Sequence, residues 1–249
     1  MQATSGRVQT LPVSRPGEFF RRLSSEALSD FEALEWPTSY PPNVVLFSEQ
    51  QIASNVLVQL EGQVKLSINS MHGRRLILRI AKPGDILEVV SAFSGTPYVV
   101  TAETLHFCRI GSLRRQDFLS FLGRHPDAYQ GLAQQLSAEY TQDCERFKTT
   151  CLASSAAEKL AQLLLGWCGD LTTKLTLPLT HQEMGECIGT SRETITRTLK
   201  DFKRRQIVDV HGSTLRISNR RALEICAGAL PVTHLYPALN HHSAKLKLS

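Results

Sequence analysis

Five side chains between positions 192 and 200 could read a nucleic acid together: Arg192, Glu193, Thr196, Arg197 and Lys200. Arginine can donate two parallel hydrogen bonds to guanine O6 and N7, and glutamate accepts from cytosine N4. A mixed Arg-Glu-Arg set therefore suits base reading better than plain phosphate neutralisation. From position 192 to 205 the basic residues are Arg192, Arg197, Lys200, Lys203, Arg204 and Arg205, against Glu193 and Asp201. Their spacing puts several of them on one helical face, within reach of one groove.

Two short helices must hold that face. Thr180 with Glu183 has the spacing of a capping box, in which hydroxyl and carboxylate satisfy each other's free N–H groups. Met184, Cys187 and Ile188 give the first helix its apolar side, and Gly189 can take the positive φ that ends it. Ser191 is the N-cap of the second helix, with Ile195, Leu199 and Phe202 on its buried side. Two helices joined by a glycine turn form a helix-turn-helix, whose second, polar helix fits a major groove. Pattern alone also fits an ordinary helical hairpin with a solvated charged face; the concentration of basic residues favours DNA. Candidate contacts to the DNA backbone are Thr180, Ser191, Thr194, Thr196, Lys200, Lys203, His211 and Ser213. The last two lie on a turn between Ile207–Val210 and Leu215–Ile217, a hairpin that reads as a wing.

The 249 residues are enough for two domains with real cores. A composition 42% hydrophobic and 20% charged is that of a globular protein, and the net charge of +5 is compatible with a nucleic-acid partner without requiring one. No apolar run reaches the length of about 18 residues that a membrane helix needs, and no secretory signal opens the chain, so the expected location is cytoplasmic. Six cysteines (Cys108, Cys144, Cys151, Cys168, Cys187, Cys226) stand far apart without a C-x-x-C. They are read as mostly small buried hydrophobes, with no metal site. Cys144 and Cys151, seven apart, are expected on nearly one helical face.

Residues 1–17 read as a flexible N-terminus, and Phe19 to Glu35 as one or two short helices ended by Trp36-Pro37. From Tyr40 to Ile110 the period shifts towards two, with strands at 44–47, 56–60, 64–68, 76–80 and 102–110, which suggests a β-sandwich or barrel. Leu113 to Leu122 reads as a short helix. A long helix from Pro126 to about Thr150 carries Leu132, Leu136, Tyr140 and Phe147 along one face, near the spacing of a coiled-coil seam. Another helix follows Ser154-Ser155, and residues 229–249, with His234, His241 and His242, read as a disordered tail.

The run S-R-E-T-I-T-R, preceded by T-H-Q-E-M-G and followed by the hairpin, resembles the helix-turn-helix of the Crp/Fnr superfamily of bacterial transcription regulators. The hairpin L-E-G-Q-V-K-L and the turn K-P-G-D-I resemble the cyclic-nucleotide-binding β-roll that precedes it there. The resemblance implies an α+β chain of four parts: a β-roll sensor domain (18–124), a dimerisation helix (125–151), a winged helix-turn-helix DNA-binding domain (152–228) and the tail. It further implies a homodimer on double-stranded DNA, with Arg192, Glu193 and Arg197 reading a TGTGA-like half-site and RNA polymerase as a partner.

The same resemblance locates a possible effector pocket at Glu88, Val89, Ser91, Val99 and Val100, with Glu139, Asp143 and Cys144 from the long helix. Cyclic-nucleotide binders carry a Gly-Glu pair at the first two positions and an Arg-Ser or Arg-Thr pair where Val99-Val100 stand. Their helix supplies an arginine and a Thr-Ser pair where this chain has Glu139 and Asp143-Cys144. No arginine or lysine lies between Lys82 and Arg109, so a cyclic phosphate would be buried without its counter-charge, at a cost of about 3–5 kcal/mol. cAMP is therefore not expected as ligand. An iron–sulfur cluster, which the oxygen-sensing branch holds with N-terminal cysteines, is not expected either, since no cysteine precedes Cys108.

Two other classes compete. A cupin-like enzyme would need clustered barrel histidines such as H-x-H, whereas His72 and His106 stand apart, and neither a catalytic triad nor a phosphate-cradling glycine loop is present. A ligand-binding adaptor without DNA contact would have no use for the Arg192-Glu193-Arg197 set.

Overall fold

The protein is described from a computed structural model that covers residues 17–168, 174–176, 179–212 and 214–228. The expected tail, with its three histidines, and all of the N-terminal segment before Gly17 lie outside the described residues. The elements are α1 (Ser25–Leu34), β1 (Trp36–Tyr40), β2 (Val45–Phe47), β3 (Asn55–Glu61), β4 (Val64–Asn69), β5 (Arg75–Ala81), β6 (Ile86–Leu87), α2 (Val89–Ser94), β7 (Thr101–Thr104), β8 (Cys108–Arg114) and α3 (Arg115–Arg124). After them come α4 (Pro126–Phe147), α5 (Ala156–Cys168), β9 (Lys174–Thr176), α6 (His181–Ile188), α7 (Arg192–Arg204), β10 (Val208–His211), β11 (Thr214–Ile217) and α8 (Arg220–Cys226). The architecture is the expected one: a β-roll, a long helix and a winged helix-turn-helix.

Two antiparallel four-stranded sheets make the roll, ordered β1-β8-β3-β6 and β2-β7-β4-β5. Alternation builds their faces. Val64 and Leu66 of β4 enter the roll core with Phe47, Leu87 and Ile110, while the alternating Lys65 and Ser67 face the other way. On β3, Leu57 packs inward and Val56 and Val58 meet a helical layer of Phe19, Phe31, Phe118, Phe121 and Leu132. Phe31 and Phe121 meet edge-on at 5.2 Å in that layer.

Several boundaries differ from the sequence reading. α1 ends at Leu34, ahead of Trp36-Pro37 as expected, but Pro37 itself lies inside β1, an edge strand, where a missing N–H is tolerated. The run 102–110 is two strands, broken at Leu105–Phe107, and Leu113 belongs to β8, so the helix expected from Leu113 begins at Arg115. β6 and α2 were not foreseen, because they are too short to show a period.

The long helix is present, but its apolar residues do not form one outward seam. Leu132 is buried against its own roll and Leu136 packs on the same cluster, whereas Tyr140 and Phe147 are 73% and 63% exposed. At about 3.6 residues per turn these four positions stay within about 80° of one another, so the difference lies along the helix: its first half runs over the core cluster of the roll, and Tyr140 and Phe147 lie beyond that cluster. A π-helical turn over Lys148–Leu152 ends the helix. That turn interrupts the helical spacing between Cys144 and Cys151, leaving Cys144 half-buried and Cys151 exposed, both as free thiols.

The winged domain has its own core. Leu160, Leu164 and Trp167 of α5 pack with Met184, Ile188, Ile195, Leu199, Phe202 and Leu215. Its sheet runs β10-β11-β9, one strand more than the expected hairpin. Ile77 and Leu105 of the roll belong to the same buried cluster, so the two domains share an apolar contact.

Candidate nucleic-acid interface

The helix-turn-helix is built as its residues require. Thr180 Oγ1 accepts from the Glu183 N–H at 3.2 Å and Glu183 Oε2 accepts from the Thr180 N–H at 2.9 Å, closing the capping box. Gly189 ends α6 at φ +67°, a conformation that costs glycine little. Gly185 is needed for another reason: a Cβ there would stand 2.7 Å from the Thr190 carbonyl oxygen, inside the turn. Ser191 Oγ then accepts from the Thr194 N–H at 3.2 Å and starts α7.

One face of α7 buries Ile195, Leu199 and Phe202. The other leaves Arg192, Glu193, Arg197 and Lys200 exposed together, as the spacing predicts. The Glu193 carboxyl is held below its ordinary value by its own N–H and then by the Ser191 hydroxyl, so it is an ionised acceptor at neutral pH. An open groove of about 560 Å³ beside α7 is lined by Ala157, Arg197, Thr198, Lys200, Asp201 and Arg204. Its basic side chains belong to the helix expected to read DNA.

The backbone candidates divide. Thr180 and Ser191 serve as caps, and Thr194 is half-buried beneath Ser191 with its N–H on that cap. Lys200 is exposed, but Lys203 is tied to the wing, 3.3 Å from Asp209 Oδ1 and 3.3 Å from the Val210 carbonyl. His211 is exposed and pairs with Asp209 at 2.8 Å. Ser213 lies outside the described residues.

His181 was missed in the sequence. Thr196 Oγ1 donates to the Arg192 carbonyl at 2.9 Å and lies 3.0 Å from His181 Nδ1. A hydroxyl has one proton, so Nδ1 is the donor in that pair. Fifteen residues separate the two, and only the crossing of α6 over α7 brings them together.

The pocket residues are scattered among structural duties. Glu88 adopts φ +53° and its carboxylate accepts from the Ser91 N–H at 2.9 Å, capping α2. Ser91 donates to the Pro97 carbonyl at 3.0 Å. Val89 and Val100 are buried, and Val99 is half exposed. Tyr98 stacks on Phe47 at 4.0 Å and donates to the Asn55 carbonyl; burial, then the Glu88 charge, pushes its phenol up to about 12.

Glu139 forms a largely buried ion pair with Arg79 of β5. Burial opposes the Arg79 charge, but Glu139 and Asp85 outweigh it and raise its pKa. Gln135 adds a bond from α4 to the Ile86 carbonyl at 3.0 Å and another to Glu139 at 2.9 Å. Asp143 pairs with Arg146 at 3.3 Å, and Cys144 is half-buried. Arg79 escaped the sequence reading because it precedes the segment from Lys82 to Arg109 in which a cation was sought.

Two family models match the chain: the Cyclic nucleotide-binding domain over residues 37–125 and the Crp-like helix-turn-helix domain over 158–226. The transcriptional activatory protein AadR of Rhodopseudomonas palustris is 26% identical over 209 residues, covering 80% of this chain and 84% of that protein. The CRP-like cAMP-activated global transcriptional regulator of Mycobacterium tuberculosis is 24% identical over 209 residues, covering 82% and 93%. The solved structure of FixK2 from Bradyrhizobium japonicum has the same fold, with a TM-score of 0.67 at 21% identity over 77% of this chain and 96% of that one. Among the described residues no helix is long and apolar enough to cross a membrane, and no His/Cys/Asp/Glu group could hold a metal ion. A β-roll, a capped helix pair with an exposed basic face, and both family matches in that order lead to one conclusion: the chain belongs to the Crp/Fnr superfamily of DNA-binding transcription regulators, not to a family of enzymes.

Proposed function

We propose that the protein is a homodimeric regulator of transcription in the bacterial cytoplasm that reads a TGTGA-like pseudo-palindrome and acts without cAMP. The observation that carries this reading is the joint exposure of Arg192, Glu193 and Arg197 on one capped helix. Thr180, Ser191, Thr194, Thr196, Lys200, His211 and Ser213 are the proposed backbone contacts. Lys203 joins them only by leaving Asp209.

Independence from cAMP is supported by Val99 and Val100, which offer no cation to a phosphate, and by the Arg79–Glu139 pair. That pair already links roll to helix. For the dimer, the support is the exposed Tyr140 and Phe147 on the second half of α4. The proposed division is a sensor over 18–124, a dimerisation helix over 125–151 and a DNA-binding domain over 152–228, with RNA polymerase as the downstream partner.

Selection of bound sequences from random DNA by the purified protein, with and without cAMP, tests the reading. The expected result is an inverted repeat of TGTGA-type half-sites about 10 bp apart, centre to centre, unaltered by cAMP. Enrichment of no sequence would refute base reading, and enrichment only with cAMP would refute independence.

A further inference from the structure

The outer face of the sheet β2-β7-β4-β5 carries a charge network that runs into the helix pair. Lys65 on β4 is 4% exposed. Its Nζ lies 2.9 Å from Glu103 Oε1 on β7 and 3.0 Å from Glu183 Oε1 on α6. Lys65 and Glu103 are opposed register partners, so their pair belongs to the sheet itself. Arg75 on β5 binds the other Glu103 oxygen at 3.0 Å. Two cations and two carboxylates thus form a balanced line from the sheet to α6.

Glu183 does two things at once. Oε2 closes the α6 cap on the Thr180 N–H, while Oε1 takes the lysine. Around this contact Ile77 and Leu105 of the roll share one buried cluster with Met184, Cys187 and Ile188 of α6. A lysine this deeply buried is tolerated only while its carboxylates stay in place. Moving α6 away from the sheet would take one of them from Lys65 and expose Ile77 and Leu105.

The α6 position is passed on to α7. The turn between them is closed by the Gly185–Thr190 approach, and His181 bonds Thr196 across the crossing at 3.0 Å. Docking leaves Arg192, Glu193 and Arg197 exposed. We propose that Lys65 is a positioning residue for DNA reading: by holding Glu183 it sets the angle of α6, and through it of α7, against the β-roll. This rests on the reading role proposed above for α7.

The test compares full-length wild type, Glu183→Gln, Lys65→Met, the double variant and Lys65→Arg. Each is titrated at fixed salt against a duplex carrying the selected site and a random duplex of equal length. Glutamine at position 183 can still close the capping box, so Glu183→Gln removes the charge pair and spares the helix. Both single variants are expected to lose roughly tenfold, about 1.4 kcal/mol, on the selected site and nothing on the random duplex. The double variant should be no worse than either single, and Lys65→Arg should keep most of the wild-type preference. Unchanged or raised affinity for the selected site in Glu183→Gln and Lys65→Met overturns the proposal, as does an equal loss on both duplexes. If wild type itself binds both duplexes equally, the reading role fails first, and the positioning role with it.

Discussion

Arg79 on β5 and Glu139 on α4 form an ion pair whose side chains are only 15% and 18% exposed, joining the roll to the long helix from within one chain. Because both charges are mostly withdrawn from water, the pair is worth more intact than its parts suggest. Removing Glu139 leaves Arg79 with Asp85 as its remaining nearby carboxylate, so Glu139→Leu is expected to destabilise the protein by less than the roughly 3–5 kcal/mol of a fully stranded charge. Arg79→Met with Glu139→Leu together should recover part of that loss, since Asp85 then loses its arginine. Chemical denaturation of the three proteins checks it; a double variant as weak as the single would show that packing, not charge, is at stake.

Arg197→Ala is expected to cost about 1–3 kcal/mol on the selected site and to relax preference at one base, while Lys200→Ala weakens all sequences alike and lowers the salt slope by about one. Titrations at several salt concentrations separate the two. Equal losses for Arg197→Ala on selected and random duplexes would remove it from base reading.

Gly185→Ala places a methyl group 2.7 Å from the Thr190 carbonyl oxygen. The turn must open to admit it, and a loss of about 1–3 kcal/mol is expected. Thermal unfolding measures the cost. Gly73→Ala is not its control, since Gly73 sits at φ +74°; Gly123→Ala, with open space around it, is.

Acid should loosen the docking of α6. Burial pushes the Glu183 carboxyl up, but the Thr180 N–H, Lys65 and the Thr180 hydroxyl outweigh it and hold it below its ordinary 4.5. A lowered carboxylate contributes stability above its unfolded value and loses it as pH falls through the folded one. The melting-temperature gap between wild type and Glu183→Gln should therefore be present at neutral pH and close as pH falls below about 4.5. A gap that persists in acid would mean that Glu183 does not act as a charge. The Glu183 side chain is only 16% exposed, so solvent and salt screen this charge less than they would a surface pair.

Local chemistry made the reading head legible in the sequence. Thr180 with Glu183, Gly189 and Ser191 specify caps and a turn through contacts three or four residues apart, and the stripe Ile195-Leu199-Phe202 fixes which side of α7 is buried. Exposure of Arg192, Glu193 and Arg197 follows from that stripe alone. The strands β3, β4 and β5 were legible for the same reason, by their alternation. Short β6 and α2 were not, since a period needs several residues to show.

What only the tertiary structure decided is which distant residues meet. Lys65 lies 118 positions from Glu183 in the chain, and Arg79, His181 and Thr196 found their partners only through the packing of one element on another. The outward face of Lys65 could be read from alternation, but not whether water or a carboxylate would meet it. The stripe on α4 shows the same limit: its spacing was correct, yet the roll claimed Leu132 and Leu136 and left Tyr140 and Phe147 outside. Sequence determines the faces of each element, because those follow from helical and strand periods. Which surface covers each face is set by the sum of contacts over the folded chain.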